Sequence, residues 1–239
     1  LDWIKKNKLF YAHDAVDGDV TDSVSFFGEP DINYNVTGTR EITLMYHDKS
    51  NNYSSVTLTV IIGDFEKPTY SIKKSTIVLE CPNTISNDDL LANVTFSDNY
   101  DSNVKKTIIT NNYSQKTALG TYSVTIRGTD SSGNYTDATF YVKVQDTIKP
   151  SVTGIANGST IRSGTFNISD SGSGIASVTL DGASKTLTNG KLEINGSSYK
   201  DGSHTLVVKD KADNKTEITF TIDNTAPVVT FKNAFASDS

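Results

Sequence analysis

Apolar residues recur every second position in several stretches of this chain. Ile42, Leu44 and Tyr46 alternate with Thr43, Met45 and His47, and Val56, Leu58, Val60 and Ile62 follow with the same period. The pattern returns at Ala138, Phe140, Val142 and Val144, and again at Ile218, Phe220 and Ile222. A period of two is that of strands with one face buried, so each stretch is expected to be a β-strand in a half-buried sheet.

The joints between these runs repeat as well. Asp48-Lys-Ser-Asn-Asn52, Asp130-Ser-Ser-Gly-Asn134 and Asp210-Lys-Ala-Asp-Asn214 share the form Asp-x-x-x-Asn, and each separates two alternating runs. Their fourth residues, Asn51, Gly133 and Asp213, are the types that best tolerate a left-handed backbone. Each joint therefore reads as a hairpin made of a type I turn and a bulge, with its leading Asp bonded to loop N–H groups. Glycines stand 82 residues apart at 38, 120 and 202. Asp-x-x-x-Pro closes each pattern, at Asp64 to Pro68, Asp146 to Pro150 and Asp223 to Pro227.

Three ordered landmarks in three copies define a tandem repeat. Proline gives no N–H to a ladder and is tolerated where a strand starts, so each Asp-x-x-x-Pro reads as a short, stiff junction without a Gly/Ser spacer. The boundaries follow: residues 1–67, 68–149 and 150–226, with 227–239 as a tail or the start of a further copy. The first copy lacks a counterpart of the Tyr70 to Leu79 stretch, and Val228 to Phe231 reads as an opening strand. A chain starting at Leu reads as a processed form or a piece of a longer protein.

The residues that carry this pattern resemble the immunoglobulin-like repeats of bacterial surface proteins. Ala12 to Thr21 with Gly38-Thr39 and the Asp48 hairpin is similar to the pseudo-immunoglobulin surface domain. Phe96 to Val104 with Gly120-Thr-Tyr122 and the Asp130 hairpin resembles hyalin-type and cadherin-like repeats. Asp170-Ser-Gly-Ser-Gly-Ile175 and Asp201-Gly-Ser-His-Thr look like a further bacterial subtype. The resemblance implies an all-β fold of tandem immunoglobulin-like β-sandwich domains in a linear array. Tyr122 fits the tyrosine anchor of such domains, whereas Arg40 and His204 stand at the matching positions of the other copies.

Net charge is −6 over 239 residues, and it is uneven. Residues 1–67 carry 11 acids and 6 bases, whereas 68–149 carry 8 and 8. Between Leu9 and Thr39 stand six acids and no base, which argues against nucleic acid and suits a cation. Asp14, Asp17 and Asp19, echoed by Asp98, Asp101 and Asn103, are the candidate ligands, with hairpin residues Asp48 and Asp130 joining them where the loops share one end of a sandwich. Closely spaced carboxylates repel unless a cation lies between them, and Ca²⁺ takes six to eight oxygens. Turn capping toward water is the other reading. The third copy lacks this pattern, and no site is expected there. The junction acids Asp64, Asp146 and Asp223 stand where cadherin-like arrays hold interdomain calcium, but a turn before proline accounts for them equally well, so they fall outside the candidate set.

His13 and His47 adjoin acids, yet adjacent strand residues point to opposite faces, so both are read as surface or packing residues. Cys81 is the single cysteine, which excludes an internal disulfide and reads as a buried, inert thiol. No triad order, phosphate loop or metalloprotease motif appears, and no run approaches the roughly 18 apolar residues of a membrane span. The expectation is a monomeric, non-catalytic stalk or adhesive segment, secreted or attached to a cell surface. Its partner would be a host or matrix protein or a cell-surface glycan. The alternative is a spacer or carbohydrate-binding module of a larger glycan-active enzyme, for which exposed aromatics such as Trp3 would be the platform.

Overall fold

The computed structural model describes residues 6–7, 9–28, 37–116 and 118–231; Trp3 lies outside them. The described chain is nearly all β. In the first stretch β1 (His13–Asp14) pairs with β2 (Gly18–Asp19), and β3 (Ser25–Gly28), β4 (Gly38–His47) and β5 (Tyr53–Ile62) form a sheet in the order β3-β4-β5. The second stretch holds β6 (Thr69–Ile72), β7 (Thr76–Glu80), helix α1 (Asn87–Ala92), β8 (Val94–Ser97), β9 (Lys105–Asn111), β10 (Gly120–Thr129) and β11 (Tyr135–Gln145). Its sheets are β6-β8 and β7-β11-β10-β9.

The third stretch holds β12 (Ser151–Thr153), β13 (Thr160–Ile161), β14 (Ser163–Ser169), β15 (Ile175–Leu180), β16 (Ala183–Ser184), β17 (Lys191–Asn195), β18 (Gly202–Asp210) and β19 (Lys215–Ile222). These give the sheets β12-β14-β17 and β13-β19-β18-β15-β16. β12 runs antiparallel to β14 in one sheet, and β13 then crosses to the other and runs parallel to the last strand, β19. In the second stretch β6 joins β8 and β7 runs parallel to the last strand, β11. This switch of the opening strand between two facing sheets makes the architecture immunoglobulin-like.

Packing divides the chain into two compact units, residues 1–69 with 96–105 and 128–136, and residues 70–95 with 106–127 and 137–239. In the first unit Phe10, Phe26, Val60 and Ile62 pack against the buried Ile42, and the rings of Phe10 and Phe26 meet edge to face. Gly128 has no room for a side chain there, since a Cβ would lie 2.3 Å from the Phe96 ring. In the second unit β11 shows the alternation at its cleanest: Ala138, Phe140, Val142 and Val144 are buried, and Thr139, Tyr141 and Lys143 between them face water. A further core in the same unit gathers Phe166, Leu180, Leu206, Val208, Phe220 and Ile222. Each such side chain contributes about 1.5–3 kcal/mol when it leaves water.

The three hairpins form where the turn chemistry puts them, joining β4 to β5, β10 to β11 and β18 to β19. Asn51, Gly133 and Asp213 take φ values of 64°, 91° and 66°. Tyr122 donates its hydroxyl to Ala118 O at 2.9 Å, the expected anchor. His204 makes the equivalent link with Nε2 at 2.8 Å from Lys200 O, so an imidazole does in that copy what the phenol does in the other. Two expectations change. Val228 to Phe231 forms no strand, since no described residue pairs with it, and α1 appears where no helix was expected, capped by Ser86, whose Oγ accepts from Asp89 N.

Candidate metal centres

Two groups of three carboxylates come together, one in each unit. In the first unit these are Asp64, Asp101 and Asp130, and in the second Asp146, Asp170 and Asp210; within each group one oxygen per residue lies within 4.8 Å of the others. Each group takes one Asp from a junction, one from an early loop of the stretch that follows, and one from that stretch's last hairpin.

The loops are shaped by the carboxylates themselves. Asp98 Oδ1 accepts the N–H groups of Tyr100 and Asp101, which curls the β8–β9 loop. That turn brings Asp101 to the hairpin, where it accepts from Ser131 N at 2.5 Å and Ser131 Oγ at 2.8 Å. Asp130 is 7% exposed and accepts from Asn134 N and Nδ2 at 2.7 and 2.8 Å. Asn134 Nδ2 also reaches Asp64 O at 3.1 Å, tying the hairpin to the junction. Two buried oxygens, Asp64 Oδ2 and Asp98 Oδ2, take no hydrogen bond.

The second group repeats the design. Asp210 is 1% exposed and accepts from Ala212 N, Asn214 N and Asn214 Nδ2. Asn214 Nδ2 reaches Asp146 O at 3.0 Å, as Asn134 reaches Asp64 O. Asp170 Oδ2 binds Gly172 N and Gly174 N, while its Oδ1 is buried without a partner, as is Ser173 Oγ. Asp146 accepts from Ile148 N and Ser173 N. Burial pushes the Asp146 carboxyl up, and the hydrogen bonds from Ser173 and Ile148 outweigh it, so the group lies below the usual carboxylate range and stays ionised.

Among the described residues none of these six acids is in an ion pair. An exposed base, Lys211, lies alongside Gly174 in the loop that carries Asp170. At an effective dielectric constant of about 20, two carboxylates this close repel by about 3–4 kcal/mol. Neutral N–H donors moderate that repulsion without cancelling the charge. Oxygen-only donors, buried free lone pairs and net negative charge together suit a hard divalent cation.

The acids singled out in the first copy are placed differently. Asp14 Oδ1 is taken by the N–H groups of Val16 and Asp17, and Asp19 Oδ1 by Thr21 N. Asp17 holds Lys49 Nζ at 2.5 Å, and this ammonium keeps the Asp17 carboxyl below its ordinary value. Asp48 is bonded to its own hairpin Asn52, the main cause of its lowered pKa. Among the described residues Asp14, Asp17, Asp19 and Asp48 form no three-carboxylate group. In the second copy Asp101 and Asp130 do, Asp98 shapes the loop beside them, and Asn103 is exposed two residues further on. Asp64, Asp146, Asp170 and Asp210 were outside the candidate set. The signal for them was the recurrence of Asp at the junction and at the hairpin, which becomes a cluster only when chain segments far apart in sequence are folded together.

His13 and His47 are exposed, stacked on Tyr11 and tilted against Tyr53 respectively. Cys81 is buried, and burial followed by the nearby Asp146, Asp170 and Glu80 raises its thiol. Among the described residues no helix is long and apolar enough to cross a membrane.

No family model matches the chain. A curated relative, an uncharacterized 81.3 kDa protein of Acholeplasma phage L2, is 28% identical over 145 residues, 60% of this chain. The chain spans 20% of that relative's length. Among solved structures, the protocadherin GammaB4 extracellular domain aligns with 83% of this chain and 41% of its own at 14% identity and a TM-score of 0.32. Fibronectin(III)-like modules of CbhA from Clostridium thermocellum align at 14% identity, 83% and 92% coverage and a TM-score of 0.26. The Bacteroides ovatus glucan-utilization protein SGBP-B, solved with a mixed-linkage heptasaccharide, aligns at 15% identity, 84% and 60% coverage and a TM-score of 0.20. Likeness at this level carries no argument about the carboxylate groups.

Proposed function

We propose that the chain is a non-catalytic adhesive or spacer segment of a secreted or surface-displayed protein, made of three immunoglobulin-like sandwiches meeting at residues 67/68 and 149/150, with Ca²⁺ bound at both junctions. The observation that carries this reading is the duplicated carboxylate group, paired with no base among the described residues and holding buried oxygens without a hydrogen-bond partner. Asp64, Asp101 and Asp130 would hold one cation and Asp146, Asp170 and Asp210 the other, with the free oxygens of Asp98 and Ser173 beside them. Bound there, calcium supplies charge neutralisation and a cross-link among a junction, a loop and a hairpin.

The chain's own residues prepare that cross-link. Asn134 and Asn214 fix the junction backbone against the hairpin, and the Asx turns hold the acids in place before any ion arrives. Sites with dissociation constants of about 10⁻⁴ to 10⁻³ M suffice outside cells. A protein or glycan partner would then meet loops and sheet faces presented on a stiffened segment. Thermal unfolding tests this directly: the midpoint in millimolar CaCl₂ should exceed that in EDTA, since a ligand bound only by the native state stabilises it. Asp130→Asn and Asp210→Asn should each diminish the gap. Coincident midpoints in the two buffers would remove calcium from the account.

A further inference from the structure

The corner that leads into β18 is tied down by a titratable group. His204 is 9% exposed, and both of its ring nitrogens are engaged. Nδ1 lies 2.6 Å from Asp181 Oδ2 in the β15–β16 turn, and Nε2 lies 2.8 Å from Lys200 O in the corner. Both partners are acceptors. One is a carbonyl, and the other is a carboxylate whose second oxygen already takes Thr205 N at 2.8 Å. A neutral imidazole has one N–H and one lone pair, so it can serve only one of the two, whereas the imidazolium donates from both nitrogens. We propose that His204 is a pH-operated latch: as imidazolium it fastens the corner at residues 196–201 to the β15–β16 turn, and on losing its proton it lets the corner go.

The two acceptors decide which bond is released. The hydrogen that stays is drawn to the ionised carboxylate rather than to the neutral carbonyl, because a charge-assisted hydrogen bond is the stronger. Nδ1 therefore keeps its hydrogen, and Nε2 turns a lone pair toward Lys200 O, which loses this donor. The groups that face the ring can be named element by element. The β15–β16 side brings Asp181 and Lys185, whose ammonium lies 5.3 Å from the centre of the Tyr199 ring. The corner brings the Tyr199 ring, 5.6 Å away, and the carbonyl of Lys200; β19 brings the uncharged Phe220 ring at 5.9 Å. The bond to Asp181, and after it the bond to Lys200 O, raise the imidazole above its ordinary 6.5 against burial. The latch is thus closed below that value and opens as pH climbs past the raised one.

The matching corner of the second stretch is held by the Tyr122 hydroxyl on Ala118 O. Histidine is the side chain whose charge ordinarily changes between about pH 5 and 8, so exchanging phenol for imidazole gives the third stretch's corner a proton dependence in that range. The corner in turn holds the chain beyond β19. Gly196 O and Tyr199 O accept from Asn224 Nδ2, and Asp201 accepts from Asn224 N and Thr225 Oγ1. Release at Lys200 therefore loosens the grip on residues 224 and 225.

The latch uses none of the six acids of the metal centres, and its test needs no cation. Nitrogen-edited NMR of the full chain, labelled in its ring nitrogens and amides, follows it from about pH 5 to about pH 9. At the acid end both ring nitrogens of His204 should carry a hydrogen; with rising pH Nε2 should lose its own while Nδ1 keeps its own. Over the same titration the exchange protection of the Tyr199 and Asn224 amides, corrected for the intrinsic rate, should fall about ten- to a hundredfold, while that of amides around Tyr122 holds. Asp181→Asn removes the charge and keeps a side chain that tolerates the φ of 51° at this position. It should move the ring titration and the loss of protection together to lower pH. A ring with a single hydrogen at the acid end, or one that keeps both to the alkaline end, overturns the proposal. So does corner protection that stays level while His204 titrates, or that fails to move with the ring in Asp181→Asn.

Discussion

Gly172 shows how closely one residue fits its neighbour. A Cβ there would lie 2.4 Å from the carboxylate carbon of Asp146 and from both of its oxygens, so only glycine lets the Asp170 loop close over the junction acid. Gly172→Ala should cost about 1–3 kcal/mol as an overpacked site, and it should also erase the calcium-dependent part of the stability contributed by Asp146, Asp170 and Asp210. Chemical denaturation with and without CaCl₂ measures both effects. His204 supplies a second case. Its Nδ1 lies 2.6 Å from Asp181 Oδ2, and this bond, with the one to Lys200 O, outweighs burial and raises the imidazole above its ordinary value of 6.5. A pKa raised by folding means that the protonated form stabilises the native state below the unfolded value, and that the contribution fades as pH climbs through the folded value. Asp181 behaves oppositely. Its carboxyl is pushed up by burial and drawn down further by His204 and Thr205 N, so its contribution is lost only in acid, below about its ordinary 3.8. The stability difference between the unaltered chain and His204→Gln should therefore be largest below the ordinary 6.5 and shrink as pH rises above it, measured by urea unfolding across a pH series.

At the scale of elements, the hairpin is where local chemistry and tertiary contact meet. Its left-handed residue was legible in the sequence, because which side chains tolerate a positive φ is decided by sterics within one residue. Asn214 was legible as the end of a turn but not as a link to Asp146 O and Ile148 O, since those acceptors lie more than 60 positions upstream. The carboxylate groups follow the same division. Asp14, Asp17 and Asp19 stand out as a candidate because they are close in sequence, and in the structure Asp14 Oδ1 and Asp19 Oδ1 accept turn N–H groups while Asp17 Oδ1 holds Lys49. Asp146, Asp170 and Asp210 are 24 and 40 positions apart, and the pairing of β12 with β14 and of β15 with β18 brings them together. Asn214→Ala removes bonds to three acceptors and strands part of the buried Asp210 carboxylate. A buried group left unsatisfied costs about 1–3 kcal/mol, so denaturant unfolding should show a loss of that size. An exposed change such as Lys191→Ala on β17 should show almost none.

At the scale of the molecule, one pattern of strands, hairpin and junction is written three times, and the architecture was legible because alternation, turn residues and prolines all agree. What the pattern did not announce is that its chemistry gathers where one stretch of chain hands over to the next. Two such groups of acids, of the same composition and built the same way, are hard to attribute to chance placement of surface charge. The claim that they are cation sites is tested most directly by isothermal titration of CaCl₂ into the metal-free chain. The account predicts saturable binding that Asp130→Asn and Asp210→Asn each reduce and the double variant abolishes. A titration indistinguishable from dilution, or binding that the double variant retains in full, would contradict it.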